Sequence, residues 1–581
     1  MKVDSILFPT NLVKRMDNIR FILVVIFAML LYMLWQAWQI DYGPKPTLAE
    51  SEQPGISSKE DLPTTSGTQT IQNTDANVSV AEPNAPNQSS AVIIVKTDVL
   101  SLEIDTQGGT IRNLDLLKYP KEKENTVVQG LRKMVGLEPS EKDLTPIRLF
   151  DGSKEKLFLA QSGLIAASGS TRAADHHSVF QYEKSNYVMQ KDQDVLVVPL
   201  TWSETPGLKV TKTFLFKRGS YQITLQQDVD NTTDKVWSGR QYNQLLRVPY
   251  SDQSGNNFIR TYAGGVVYTE ENKYKKISYD DMADENLNIK TTGGWVAMIQ
   301  HYFASAWIPP VDKENNFYTK ALDNNHYVIG SYSPLVTIAP HTQAEFTANL
   351  FAGPKIQPMM EKIAKGLELT VDYSWLTVIG KPIYWLLNQI HDFVDNWGLA
   401  IIGVTLCIKL LFFKLSQASY QSMAKMRKIQ PRLKELQERF ADDRQRFNKE
   451  MMDMYKREKV NPLGGCLPIM VQIPVFISLY WVLVETVEIR QAPFALWVQD
   501  LSAQDPFYIL PILMGITMKI QQSLNPAPID PLQAKIMKMF PIVFTVFFLF
   551  FPAGLVLYWV VNNTLSIVQQ WYITKGIDAA K

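Results

Sequence analysis

Apolar residues along this chain follow three different rhythms, and each rhythm predicts a different kind of element. Residues 21–38, FILVVIFAMLLYMLWQAW, are apolar almost without interruption, the pattern of a helix long enough to cross a bilayer. Lys14, Arg15 and Arg20 precede the run and Asp41 follows it, so the cations on its N-terminal side put residues 1–20 in the cytoplasm. A cleaved signal peptide is the other reading, but the run ends in Trp35, Trp38 and Tyr42, where a cleavage site needs small residues. Residues 21–40 therefore read as an uncleaved anchor. Met16 opens a compact anchor of its own, so the first fifteen residues read as an extension or a misplaced start.

The second rhythm has period two. It recurs through residues 91–355 in short runs such as Val99-Leu-Ser-Leu-Glu-Ile, Leu208-Lys-Val-Thr-Lys-Thr-Phe-Leu-Phe, Tyr221-Gln-Ile-Thr-Leu and Phe346-Thr-Ala-Asn-Leu-Phe. Alternation bounded by Gly, Asn, Asp and Pro predicts half-buried antiparallel strands, and so many of them predict a large all-β sandwich. Residues 41–90 are rich in Pro, Ser, Thr, Asn, Gln and Glu with almost no aromatics. Such a stretch buries too little apolar surface to offset its ordering entropy, and it reads as a disordered tether.

The third rhythm is helical. In residues 356–395 apolar and aromatic positions recur at helical spacing (Trp375, Leu376, Ile379, Tyr384, Trp385, Leu387, Ile390, Phe393, Val394), with a break expected at Pro382. Helices of this kind lie in a membrane interface or pack beneath a neighbouring domain. Residues 396–415, NWGLAIIGVTLCIKLLFFKL, are long enough to span and hold one internal cation, Lys409. An ionisable group there is a functional hypothesis by default, although a lysine near a helix end also snorkels to the interface. Residues 416–460 are the most basic segment, and the stretch Ser416–Asn461 has twelve Lys and Arg against seven Asp and Glu. They predict a cytoplasmic hairpin of two helices, about 417–440 and 444–459. Met423, Met426, Met451, Met452 and Met454 within it make either an adaptable surface or the packing between its two helices.

Residues 461–573 then alternate apolar runs with short loops. A run to Val484 contains Gln472 and Pro474, and breakers at membrane depth imply that this face meets protein or water, not lipid. A loop to Asp505 and a run from Phe507 to Gln522 follow. The last apolar stretch, Met539 to Ile573, is 35 residues, or about 52 Å as one helix, against a bilayer core of about 30 Å. Phe551-Pro-Ala-Gly is the natural break. The expected architecture is a multi-domain membrane protein: an extracytoplasmic sandwich, an anchor helix and five further transmembrane helices, which the resemblance below makes a periplasmic sandwich over a five-helix core. That makes six spans, with both termini, including the 574–581 tail, in the cytoplasm.

Composition narrows the chemistry. The formal net charge of +1 hides the segregation just described. Both cysteines, Cys407 and Cys466, fall in apolar C-terminal runs, so the sandwich has no disulfide framework. The six histidines form no metal-ligand spacing, and Gly380-Lys-Pro is not a phosphate-binding loop.

Several longer stretches carry a resemblance. Asn461-Pro-Leu-Gly-Gly-Cys-Leu-Pro, Arg490-Gln-Ala-Pro-Phe-Ala-Leu-Trp, Leu501-Ser-Ala-Gln-Asp-Pro-Phe-Tyr-Ile-Leu-Pro and Phe551-Pro-Ala-Gly-Leu-Val-Leu-Tyr stand in order along the chain. So do Trp35-Gln-Ala-Trp, Gly293-Gly-Trp-Val-Ala-Met and Ser422-Met-Ala-Lys-Met-Arg. Together they resemble the bacterial YidC insertases of the YidC/Oxa/Alb family in their long Gram-negative form. The resemblance covers nearly the whole chain apart from the tether and the first fifteen residues. It implies an inner-membrane insertase and chaperone, with no covalent catalysis, acting alone or beside the Sec translocon. It also implies a β-supersandwich and a hydrophilic groove open to cytoplasm and lipid. The groove would comprise Lys409, Thr405, Gln472, Tyr558 and Trp559, and a client slide Ile473, Phe476, Phe547 and Leu555. The implied partners are nascent membrane proteins, the translocon with its accessory subunits, the bilayer and the ribosome, with no DNA, cofactor or metal. One departure stands out: the family's usual groove arginine is here Lys409, which keeps the charge and loses the planar donor fork. Packing core is the alternative role for the apolar positions. A small-solute transporter with a fused sandwich and a membrane-anchored carbohydrate enzyme are the rival readings, but no repeated halves and no convergent acid–base set are visible.

Overall fold

The computed structural model describes residues 91–134, 142–204, 207–250, 261–440, 443–458, 460, 467–526 and 531–579. The expected cytoplasmic N-terminus, anchor and tether, and the stretch 461–466 with Cys466, lie outside the described residues.

Residues 92–354 fold into two facing sheets, which among the described residues hold eleven and nine strands. The alternation predicted from sequence is the one observed. Leu208–Lys217 and Gln222–Asn231 bury every second side chain and pair antiparallel, with Leu225 opposite Phe214 on one side and Ala348 of Gln343–Pro354 on the other. Trp295–Ile299 and Phe303–Ile308 break the pattern and are buried at every position. Their second face is covered from within the chain: Tyr268 stacks on Trp295 at 5.8 Å, and the Trp295 indole donates to the Lys365 carbonyl at 3.1 Å. Gly366 sits against the Tyr268 ring with φ +79°, a close approach and a left-handed turn that only glycine accepts without strain.

Helices follow in order. Three are short or peripheral: α1 (Thr126–Met134), α2 (Tyr279–Asp284) and α3 (Gln357–Ile363). The rest form the C-terminal region: α4 (Thr377–Val394), α5 (Trp397–Leu411), α6 (Phe413–Arg439), α7 (Arg444–Arg457), α8 (Leu467–Glu485), α9 (Ile509–Ser523), α10 (Pro531–Phe548) and α11 (Ala553–Ala579). The break expected at Pro382 does not occur. The proline lies inside α4, near its start, where only one backbone bond is forfeited. One side of α4 buries Ile383, Tyr384 and Leu387, while Val378, Trp385 and Phe393 stay exposed. The helix expected over 396–415 is also different. It ends at Leu411 and continues as α6 after a 67° bend at Phe412. Among the described residues no single helix is long and apolar enough to cross a membrane alone, and the bent pair α5–α6 meets that test together. The last apolar stretch divides where predicted, between Phe548 and Ala553, but α11 continues through most of the expected tail to Ala579. In the α6–α7 hairpin, Ile429 and Leu433 pack with Tyr455 and Val460, and Met426, Met451 and Met454 fill the gap between the two helices. Packing is thus the role of those three methionines.

The sandwich and the helical region are joined by specific contacts. The Lys355 ammonium, directly after the last strand, meets the Glu485 carboxylate at the end of α8 at 2.9 Å, with both side chains buried. His301 Nε2 bonds the Val484 carbonyl at 2.9 Å, and the Tyr384 hydroxyl donates to Glu488 at 2.8 Å. Arg490 donates to the carbonyls of Pro120 and Lys121, and Lys123 to that of Gln491.

A buried lysine lies inside the sandwich itself. Lys212 is fully buried and donates to the Gly108 and Ser162 carbonyls at 2.6 and 2.8 Å. Desolvation pulls its ammonium down to about 7, against a small opposing pull from Asp175. Between that value and the ordinary lysine value of about 10.4, the unfolded chain holds a proton at this position that the folded chain releases. Folding is therefore favoured progressively as pH rises through that window. Thermal melts of the purified chain between pH 7 and 10, followed by circular dichroism, are expected to rise more steeply for the natural sequence than for Lys212→Met. Parallel pH profiles would count against a depressed lysine.

Candidate functional site

The site is built around one face of α11. Asn562, Ser566 and Gln570 follow at four-residue spacing, which stacks them on one side of a helix, and Asn563 lies beside them. Each reaches a polar group on a different helix. The Lys409 ammonium of α5, 7% exposed, donates to Ser566 Oγ at 2.6 Å, and Ser566 in turn donates to the Asn562 carbonyl at 2.8 Å. Gln472 of α8 donates to Asn562 Oδ1 at 3.4 Å. Thr517 and Gln521 of α9 meet Asn563 and Gln570 at 3.4 and 2.8 Å, and Gln570 also donates to the Leu524 carbonyl. The Tyr420 hydroxyl of α6 lies in reach of Ser566 and Gln521. A polar seam thus runs along the inside of an otherwise apolar bundle, as buried polar groups require partners.

The expected site residues separate into four groups. Lys409 and Gln472 come together on the seam through Ser566 and Asn562. Phe476, Tyr558 and Trp559 form an aromatic cluster beside it: Phe476 stacks on Tyr558 at 5.9 Å and meets Trp559 at 4.9 Å, with Phe548 against Trp559 at 5.8 Å. Ile473 and Phe547 are exposed on α8 and α10. The remaining two stand apart from any open surface. Thr405 is buried and its hydroxyl bonds the Ile401 carbonyl of its own helix at 2.6 Å, while Leu555 is buried in the core. Ser566, Asn562, Asn563, Thr517 and Gln570 were not singled out from sequence. For the four on α11 the signal is the polar residues 562, 563, 566, 569 and 570 at helical spacing within the last apolar stretch. Among the described residues no three His, Cys, Asp or Glu side chains converge as a metal site.

The helix carrying Lys409 is fixed at its start. Asn396 caps α5 by accepting from the Leu399 N–H at 3.0 Å, and its amide donates to the Phe494 carbonyl at 3.0 Å. Gly398 leaves room for the Phe494 ring, which a Cβ would meet at 2.0 Å.

Comparison with known proteins finds two family models end to end. One described as the YidC periplasmic domain matches residues 92–386, and one described as the 60Kd inner membrane protein matches 389–580. A protein of Methylococcus capsulatus named Membrane protein insertase YidC is 54% identical over 97% of this chain and 99% of its own length. A protein of the same name from Nitrosococcus oceani is 47% identical with the same coverage of both chains. A crystal structure described as an active YidC insertase with its first transmembrane domain resolved aligns at 15% identity with a TM-score of 0.37. The alignment covers 83% of this chain and 95% of that one.

Asn396→Ala removes both the cap and the tie to Phe494 and is expected to destabilise the helical region by about 1–2 kcal/mol. Asn396→Asp, which keeps the cap alone, is expected to fall between. Thermal unfolding of the purified chains in detergent reads the order, and an alanine variant as stable as the aspartate one would contradict it.

Proposed function

The chain belongs to the YidC family of membrane protein insertases, and from that membership we propose that its polar seam is the face along which a client's hydrophilic segment enters the membrane. The protein is an inner-membrane insertase with a periplasmic β-sandwich and a helical membrane region. We place six spans in it, the described ones being the α5–α6 bend, α8, α9, α10 and α11. Both termini and the α6–α7 hairpin are cytoplasmic, where the hairpin's surplus of cations belongs. The exposed Val378, Trp385 and Phe393 of α4 suit the membrane interface at the periplasmic side.

The observation that carries the proposal is Lys409, an ammonium buried among helices and held by the Ser566 hydroxyl, with no carboxylate paired to it among the described residues. Passing a polar client tail through lipid costs several kcal/mol per unsatisfied group, and a seam of amides and hydroxyls offers each group a partner along the way. The cation attracts acidic residues of the tail. The client's apolar helix leaves past the aromatic cluster and the exposed Ile473 and Phe547 into lipid, where burial of apolar surface, about 25 cal/mol per Å², drives the step. Thr405 supports the seam from behind and Leu555 from the core. No nucleotide is required. Lysine in place of arginine makes this a point-charge attraction without bidentate geometry. The Sec translocon and the ribosome are the further partners proposed, the latter at the basic hairpin.

Lys409→Glu is expected to lower insertion of an acidic-tailed client by about tenfold or more, because like charges now meet in a low-dielectric site, whereas Lys409→Arg retains it. Growth of a depletion strain rescued only by Lys409→Glu at the natural rate would sink the charge requirement. A photo-crosslinker at Gln472 is expected to capture a stalled nascent membrane protein, and one at the sandwich position Lys209 is not. Equal capture from both positions would remove the seam from the client path.

A further inference from the structure

The seam needs α8 in place, yet α8 is held unevenly. At its Gln472 end the polar tie is the 3.4 Å contact with Asn562, long for a hydrogen bond. The Ser478 hydroxyl is spent on the Pro474 carbonyl of the same helix. At its other end the ties are short and charged. Glu485 is the last residue of α8, and its carboxylate receives the Lys355 ammonium at 2.9 Å with the two side chains 5% and 2% exposed. That ammonium also donates to the Thr370 carbonyl at 3.2 Å, and the Lys355 backbone N–H is bonded to the Tyr302 carbonyl. The lysine is therefore fixed to the sandwich on its own side before it reaches across.

Packing alone does not hold this junction. A cavity of about 200 Å³ opens beside the pair, lined by Tyr262, Lys276, Asp372 and Trp481 as well as the pair itself. Where side chains leave such a gap, position depends on the directed contact. Losing one partner of a buried pair leaves an uncompensated charge that the remaining structure must move to solvate.

We propose that the Lys355–Glu485 pair positions α8, so that the periplasmic sandwich sets where Phe476 and Gln472 stand against the client. The inference rests on the client path proposed above. Glu485 and Gln472 are about 20 Å apart along a helix rising 1.5 Å per residue, so a tilt of about 5° about the Glu485 end moves Gln472 by about 2 Å. Phe476 lies on the Glu485 side of Pro474 and follows the pair directly. Gln472 lies beyond the proline, which removes a backbone bond from the helix between them.

The test uses the full-length chain with a photo-crosslinker at Phe476, and a second at Phe547 on α10 as an internal reference. Glu485→Gln is expected to lower capture of a stalled client from position 476 by about threefold or more and to leave position 547 within about twofold, the size of effect a coupling contact carries. The exchange Lys355→Glu with Glu485→Lys restores a pair in the same place and is expected to recover capture at 476. Capture at 476 and 547 falling in parallel, or failing to recover in the exchange variant, overturns the proposal by reducing the pair to a stability element. Spin labels at Lys209 and Val471, with Cys407 and Cys466 replaced by serine, read position without a client. A distance distribution that broadens in Glu485→Gln supports the proposal, and one that stays unchanged overturns it. A natural sequence silent at both crosslinking positions sinks the client path, and the spin-label width then decides the positioning role alone.

Discussion

An ammonium cannot lie among apolar helices unless the protein supplies what water would have supplied, and that constraint orders the helical region. Lys409 takes Ser566 as partner, and Ser566 fixes which way α11 is turned. Once α11 faces inward with Asn562, Ser566 and Gln570, its opposite side must be the one bearing Val568, Trp571 and Tyr572, all exposed. The same row then selects its neighbours. α8 is met through Gln472, α9 through Thr517 and Gln521, and α5 through Lys409. Because each donor and acceptor on the row is worth more with its partner than without, rotation of any one helix is opposed by the others. Apolar packing between helices is far less particular about rotation.

The sandwich is a part of this arrangement and not an appendage on a stalk. Its contacts to residues 484–497 involve charge at Lys355 and Glu485, a histidine at 301, and a run of carbonyls at 120 and 121 that accept from Arg490 and Gln491. Burial raises the Glu488 carboxyl above its ordinary range, while the Tyr384 hydroxyl donating to it pulls the other way. Polar contacts of this kind specify register where an apolar interface would slide. That suits a junction between a β-sandwich and an apolar helical region.

Much of the fold was legible in the sequence because each region follows one period. Two-residue alternation marked the strands, and the strands buried on both sides, Trp295–Ile299 and Phe303–Ile308, are the ones that lack it. The α4 helix runs through Pro382 with that residue's backbone bond forfeited, and the bend comes instead at Phe412, which no breaker announces. Within the site, Lys409 was visible as a lone charge in an apolar run. Its partners were not, since a serine and a few amides in α11 look unremarkable until helical spacing is counted along a stretch that length alone had already explained. Leu555 shows the converse. It falls where the family resemblance puts a client contact, and side-chain direction turns it into the core. The Lys355–Glu485 pair joins positions 130 residues apart, and no local pattern could have matched them.

The docking of residues 484–497 on the sandwich also bears on how the chain itself is made. The loop at Pro120–Asn125 emerges from the ribosome about 370 residues before Arg490, Gln491 and Trp497, the groups it binds. At ordinary synthesis rates of 5–20 residues per second, that is a wait of about 20–70 seconds. The sandwich is complete only once its last strand, Gln343–Pro354, has been made, and over the 130 residues that then separate Lys355 from Glu485, about 7–26 seconds at the same rate, it presents the Lys355 ammonium and the bare carbonyls of 120 and 121 as a template. The returning α8 then has an address to find on arrival, which makes the protein's first half a scaffold for the assembly of its second.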